Sequence, residues 1–473
     1  MWSRALHYIL GIGIIGLIGA ACKKSEGTSA SAYEDPTVSS ACLACPAWAA
    51  NANIYEVNIR QYTPEGNFKA FAAHLPRLKQ MGVDILWLMP VFPISEANRK
   101  GTLGSYYAVA DFTAINPNYG TLDEFKALVD TIHQLGMKVI LDWVPNHTGW
   151  DHVWITQHRD YYTQNKSGKI TDPIAPKTGK SWGWTDVADL NYDNQDMRKA
   201  MTDAMLFWLR EANIDGFRCD VAGEVPDDFW QQATPVLRQA KPDIFMLAEA
   251  EHAPHRNSDY FAMSYGWSFH HLMNEIAAGN ANANDIYEWL KKDRSAFGKG
   301  YHMHFITNHD ENSWNGTEFE RMGDAVDAMA VLSCTFDGMP LLYSGQESAF
   351  NRRLAFFEKD SINWGNYSKA AFYTALLNLK HRNKALWNGP AGGKLNRLAT
   401  SDDKSVFAYY REKDGQRVVV ILNLSNKPRS VKIDAAAIAG NYTDLFSEQS
   451  VKLATKNQPF ELKAWGYQVL EGD

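Results

Sequence analysis

The chain has 473 residues, more than one hydrophobic core usually serves, so a large domain with smaller ones attached is expected. A hydrophobic fraction of 45% with 21% charged residues is ordinary for a soluble globular protein and sets aside an intrinsically disordered chain. The net charge of -7, with no basic stripe interleaved with aromatics, argues against a nucleic-acid partner.

In chain order, a processing signal comes first. Arg4 and His7 precede an apolar stretch from Ile9 to Ile18, which ends in Gly19-Ala20-Ala21-Cys22. That core is short for a membrane span and closes on small residues, so residues 1–21 read as a cleavable signal peptide. Small residues directly before a Cys resemble a bacterial lipobox, which would make Cys22 a lipid-bearing first residue. An ordinary signal peptide with an incidental Cys is the alternative. Residues 22–47 are largely small and polar, the composition of a flexible tether. A lipid anchor there would hold an exported protein on a membrane, such as a Gram-negative outer membrane, facing the periplasm or the medium. Cys42 and Cys45 form a lone C-x-x-C without the second pair of a zinc site, leaving a local disulfide or two free thiols. Cys219 and Cys334 lie in apolar patterns and read as inert core thiols.

From about residue 48 a repeated beat carries the fold. Phe68 to Met81 is helical in pattern, Gly82 stops it, and Val83-Asp-Ile-Leu-Trp-Leu88 reads as a buried strand. Thr121-Leu-Asp-Glu124 is a capping box, and Leu122, Phe125, Leu128, Val129, Ile132 and Leu135 then share one helical face. Gly136 ends that helix and a strand follows from Lys138 to Val144. Met201–Ala212 repeats the form, with Asn213 as the stop before a strand at Ile214. Strands that alternate with helices pair in parallel through right-handed crossovers, and burial on both faces explains their nearly unbroken apolar runs. Eight candidate strands start near Ile54, Val83, Lys138, Ile214, Ile244, Tyr260, Tyr301 and Met339. They predict an α/β fold, a closed (β/α)8 TIM barrel over residues 48–143 and 191–390. The weakest member is Tyr260-Phe-Ala-Met-Ser264. Between residues 144 and 190 the beat stops in a stretch rich in Gly, Lys, Asp and Trp, read as a small domain inserted after the third strand. After about Gly393, alternating segments such as Val406–Arg411 and Arg417–Asn423, with turns at Asp414-Gly415 and Asn426-Lys-Pro428, predict a C-terminal antiparallel β-sandwich over residues 391–473.

Three acids carry the chemistry. Asp220, Glu249 and Asp310 close the apolar runs Ile214–Asp220, Ile244–Glu249 and Phe305–Asp310. In a parallel barrel such strand ends open onto one rim, where active sites lie. Arg218 and Asp220 project to the same side of a strand, so a fixed cation would lower the pKa of Asp220 and keep it ionised, as a nucleophile requires. A structural salt bridge is the other reading. Glu249 follows Ile-Phe-Met-Leu-Ala, whose desolvation would raise its pKa and suit it to a general acid. Asp310 follows Asn308-His309, and Asp142-Trp-Val-Pro-Asn-His147 has the same form. Carboxylates gathered on a barrel rim point to acid/base and nucleophilic work on a glycosidic bond. Most of the 16 Trp belong in the core, but Trp182, Trp184 and Trp314 lie in loop-like stretches where indoles could stack on sugar rings.

Asp142-Trp-Val-Pro-Asn146-His147, Gly216-Phe-Arg218-Cys-Asp220, Ala248-Glu249 and Asn308-His309-Asp310 resemble, in order and separation, the four best-known motifs of glycoside hydrolase family 13, the α-amylase family. Gly338–Glu347 and Gly82–Pro90 resemble its eighth- and second-strand segments, so the resemblance spans about residues 48 to 470. It implies a retaining α-glucan hydrolase cutting internal α-1,4 bonds of starch or maltooligosaccharides. Asp220 would be the nucleophile, Glu249 the acid/base and Asp310 the transition-state stabiliser. Arg218, His147 and His309 would bind at the cleavage point and Tyr107 would stack on the sugar. Cyclomaltodextrinase, neopullulanase, α-glucosidase or transglycosylase activity are alternatives on the same scaffold. A catalytically inactive barrel that binds glycans is the non-enzyme alternative. The inserted stretch corresponds to the family's domain B, which often clamps a calcium ion, and Asn146 and Asp189 fall on ligand positions. The same two residues could instead hydrogen-bond the insertion to the barrel. Ser105, Ala108 and Gly223-Glu224 depart from the pattern. The last pair stands where many α-amylases carry Lys-His, which leaves the leaving-side subsites open.

Overall fold

The computed structural model describes residues 42–175 and 178–472; the leader, Cys22 and most of the tether lie outside the described residues. The parallel strands are β1 Ile54–Val57, β2 Ile85–Leu88, β3 Lys138–Trp143, β4 Gly216–Cys219, β5 Phe245–Ala248, β6 Met263–Tyr265, β7 Tyr301–His304 and β8 Met339–Tyr343. They close into a barrel in which β1 pairs with both β2 and β8. Apart from Lys138 at the start of β3, every barrel-strand residue is buried. Cover on both faces is why these runs are continuously apolar instead of alternating.

The helical punctuation behaves as its chemistry requires. Thr121 and Glu124 form the reciprocal capping box, and the helix Leu122–Gln134 buries Phe125, Leu128, Val129 and Ile132. Gly82 closes Leu75–Met81 at φ 97°, a left-handed position that glycine occupies without strain. The pattern over Phe68–Met81 is two helices, Phe68–Ala72 and Leu75–Met81, because Pro76 has no N–H to continue the first ladder and instead opens the second. The third predicted helix starts earlier than expected, at Gln195, where the Asn194 side chain accepts from the Met197 N–H.

Three strand expectations need correction. β6 begins at Met263, since the N–H groups of Tyr260 and Phe261 both donate to the His255 carbonyl, at 3.0 and 3.1 Å, and cannot join the ladder. Phe305–Asp310 is no strand: β7 ends at His304, and Asp310 precedes a π-helical turn, Glu311–Asn315. β4 starts at Gly216, where a Cβ would meet the Phe245 carbonyl oxygen at 1.8 Å.

The end of the expected tether is also built into the fold. Cys42 and Cys45 are disulfide-bonded, Leu43 N–H donates to Asp259 Oδ1 at 3.0 Å, and Trp48 Nε1 donates to the Asp243 carbonyl at 3.1 Å. The stretch after β3 carries two small antiparallel pairs, His147–Gly149 with Val187–Asp189 and Ile174–Ala175 with Lys180–Ser181. At the C-terminus a six-stranded sheet runs in the spatial order Leu395–Leu398, Val406–Lys413, Gln416–Asn423, Tyr467–Gly472, Gly440–Asp444 and Ser450–Leu453. A two-stranded sheet, Arg429–Ile433 with Gln458–Leu462, packs with it around a second core of Val419, Ile421, Val431, Phe460 and Leu470. Arg411, fully buried, joins this domain to the barrel by donating to the Phe336 and Trp387 carbonyls at 2.7 and 2.8 Å.

Candidate active site

Arg218, the third residue of β4, is the hub of the barrel mouth. Its Nη1 donates to Asp142 Oδ1 at 2.8 Å and to Asp220 Oδ1 at 2.9 Å. Its Nη2 makes an ion contact with Glu249 Oε2 at 2.8 Å, without the angles of a hydrogen bond. The rings of Trp87 and Tyr265 lie 5.0 and 5.5 Å from the guanidinium, and Nε donates to Tyr265 Oη at 3.2 Å. Neighbouring strands supply the partners: β3 carries Asp142, the end of β5 presents Glu249, and β2 and β6 contribute the two rings.

Exposure separates acids that can meet a substrate from one that cannot. The Asp142 side chain is fully buried, whereas those of Asp220, Glu249 and Asp310 are 12%, 14% and 34% exposed. Asp142 is a support. Its Oδ2 accepts from Tyr107 Oη at 3.1 Å and Trp87 Nε1 at 3.2 Å, and burial pushes its carboxyl up to about 6 against the pull of Arg218.

The electrostatics of Asp220 differ from the expectation. Burial raises its pKa well above the ordinary carboxylate range, Arg218 opposes this, and the Glu249 and Asp142 carboxylates add to the rise. One guanidinium is thus divided among three carboxylates, and its pull on each is correspondingly shared. The apolar setting expected for Glu249 is also not found. Its Oε2 accepts from the Val221 N–H at 2.8 Å besides contacting Arg218. Val221 holds φ 40°, a strained left-handed conformation for a β-branched residue, directly after Asp220. Gly223 and Glu224 follow in a short helical turn, Ala222–Glu224.

The two histidines are both buried and oppositely tuned. His309 Nδ1 pairs with Glu56 Oε1 at 2.5 Å, while Nε2 lies 2.8 Å from Tyr107 Oη and 3.3 Å from Asp310 Oδ2. Burial opposes charge on this ring, but Asp310 and Glu56 outweigh it and push His309 up to about 9. At His147 burial is not offset by any carboxylate among the described residues and pushes the ring down to about 3; the Asn146 amide lies 3.2 Å from its Nδ1. Tyr107 runs nearly parallel to His309 and Phe356, at 24° and 13°, which makes an aromatic wall. Trp182 and Trp184 stack at 5.7 Å, and Trp184 meets the edge of His147 at 5.8 Å. Trp314 packs on the Phe356 side of that aromatic wall, 5.2 Å from the ring.

Asp189 lies directly across the ladder from His147, next to Asn146. Burial, with Asp172 adding to it, pushes its carboxyl up to about 7, and among the described residues no ion pair neutralises it. Two hard oxygen donors, one a half-buried carboxylate, fit calcium in kind and fall short of its usual six to eight ligands in number.

Glu56, Trp87, Tyr265 and Phe356 were not legible as site residues. Only Glu56 left a signal, an acid inside the buried strand Ile54-Tyr-Glu-Val57.

An eight-stranded parallel barrel with paired acids gathered at its mouth is the architecture of an enzyme and fits a glycoside hydrolase. The family model of the alpha-amylase catalytic domain matches residues 25–388, and that of the maltogenic amylase C-terminal domain matches residues 397–469. The chain belongs to the alpha-amylase family. It is 27% identical to Alpha-amylase 3 of Dictyoglomus thermophilum over 441 residues, covering 80% of this chain and 85% of that one. It is 26% identical to a cyclomaltodextrinase of Thermoanaerobacter pseudethanolicus over 396 residues, covering 76% of this chain and 64% of the relative. The crystal structure of a noncanonic maltogenic alpha-amylase from Thermotoga neapolitana superposes with a TM-score of 0.80 at 26% identity, covering 89% of this chain and 98% of that one.

Proposed function

We propose that this enzyme hydrolyses α-1,4-glucosidic bonds of maltooligosaccharides and starch with retention of configuration. The observation that carries the reading is that Asp220 and Glu249 meet the two terminal nitrogens of one guanidinium, which supports the close carboxylate pair of a retaining enzyme over the water-wide gap of an inverting one. Asp220, beside Arg218, attacks the anomeric carbon through its carboxylate. Glu249 protonates the leaving oxygen and then takes a proton from the incoming water. Asp310, beside a cationic His309, stabilises positive charge that develops on the sugar. Tyr107 offers the ring face and His147 a neutral imidazole, suited to hydroxyl recognition. A calcium ion on Asn146 and Asp189 would supply a counter-charge to the half-buried Asp189 and fasten the inserted stretch to the barrel. Export with a lipid on Cys22 is supported by the short apolar leader, and palmitate-analogue labelling that disappears in Cys22→Ser is the expected result.

A second reading, maltose release or cyclodextrin opening, is favoured by the maltogenic C-terminal domain match and the cyclomaltodextrinase relative. Chromatography of products from amylose, pullulan and cyclodextrins discriminates the two. Mixed maltooligosaccharides from amylose support internal α-1,4 attack; faster turnover of cyclodextrins supports the second reading. Glu249→Gln should lower turnover by about 10²–10⁴-fold. No difference between variant and wild type on any of these glucans would overturn both.

A further inference from the structure

Beyond the acids of the mouth, a second group of donors joins the loops that follow β4 and β5. Asp227 opens the helix Asp227–Ala240, His252 precedes the helix Ala253–Asn257, and His255 lies within it. One ligand-capable atom from each of the three residues lies within 4.8 Å of the other two. Asp227 Oδ2 is 3.0 Å from His252 Nε2 with the angles of a hydrogen bond. Asp227 Oδ1 is 3.1 Å from His255 Nε2, and here the angles fail: His255 is fully buried and neither of its ring nitrogens has a hydrogen-bond partner.

A buried imidazole left unsatisfied beside a carboxylate needs a physical reason. Two groups that only pair with each other point at each other. Two ligands of one ion both point at a third place, and around a tetrahedral zinc they lie about 3.3 Å apart. The Asp227–His255 contact has that separation and that misalignment. The side chains of Asp227 and His252 are 46% and 44% exposed, which gives an ion a way in and leaves a coordination position for water.

We propose that Asp227, His252 and His255 form a zinc site, bound through one carboxylate oxygen and one ring nitrogen of each histidine, with half-exposed His252 exchanging its hydrogen bond to Asp227 for the ion. Imidazole donors select zinc over calcium, which takes oxygen ligands. The ion would tie the segment just beyond Asp220 to the segment just beyond Glu249, two loops that β4 and β5 alone do not cross-link.

The test uses the full chain, stripped by chelator, held in excess calcium and titrated with zinc chloride in a calorimeter. One zinc per chain with micromolar or tighter affinity is expected. His252→Ala and Asp227→Asn alter half-exposed positions, and each should weaken binding at least tenfold while keeping the wild-type circular dichroism spectrum. Hydrogen exchange over residues 221–230 and 250–258 should slow on zinc addition in the wild type and not in the variants. Absence of zinc binding by the wild type at micromolar concentration, or wild-type affinity in either variant, would overturn the site.

Discussion

Asp215 and Asp220 stand at opposite ends of one strand, β4, and their surroundings are organised on opposite lines. At the foot of the barrel, Asp215 accepts from His133 Nε2 at 2.7 Å, Lys138 Nζ at 2.9 Å and the Val139 N–H at 3.0 Å, with Lys241 Nζ 3.4 Å away. Burial alone would raise its pKa, yet these donors hold it down at about 2. At the mouth, Asp220 shares a single Arg218 with Asp142 and Glu249, and burial prevails in the other direction. The foot has more base than acid and the mouth more acid than base. A foot arranged this way serves stability, whereas a mouth with surplus acid is where a functional site is expected.

The sharpest way to break this contrast is Asp220→Asn. It should abolish measurable turnover on amylose while the melting temperature stays level or rises, because a group crowded by like charge has been relieved. Loss of folding along with activity would show that Asp220 supports the fold as Asp215 does. The converse change, Asp215→Asn, should leave kcat/KM within about twofold and lower stability by about 2 kcal/mol at pH 7, from the drop below the ordinary 3.8. Since the folded pKa is depressed, that contribution is present above the ordinary value and is lost as pH falls through about 2. Urea unfolding at pH 6 and pH 2.5 should therefore show the variant's deficit shrinking on acidification. A pH-dependent effect of the opposite sign belongs to His309, whose folded pKa is raised to about 9. Its contribution is complete below the ordinary 6.5 and lost as pH rises through about 9. The stability gap between wild type and His309→Gln should narrow across that interval, and a constant gap would mean the ring is not charged by Asp310 and Glu56.

The barrel was legible because its signals are local. A capping box at Thr121, a glycine stop at Gly82 and two-sided apolar runs act within a few residues of themselves. The places where the reading slipped are those where a distant group intervenes. His255 takes the donors of Tyr260 and Phe261 and delays β6, and Asp259 captures the Leu43 N–H and anchors what reads as loose tether. Among site residues, the motif acids and His147 were visible in their spacing. Trp87 and Tyr265 were not, since an aromatic on a barrel strand looks the same whether it faces a helix or a buried guanidinium.

Residue order by itself therefore determined the element types, the alternation that makes a parallel barrel and the identity of the acids delivered to its rim. These follow from periodicity and from the direction of parallel strands. Tertiary structure decided how charge and protons are distributed among those acids. Arg218 is divided three ways, Glu56 reaches His309 from a strand far away in the chain, and Asp215 collects nitrogen partners from three other segments. Coulomb interaction and desolvation depend on distance through space, which neighbours in sequence do not specify.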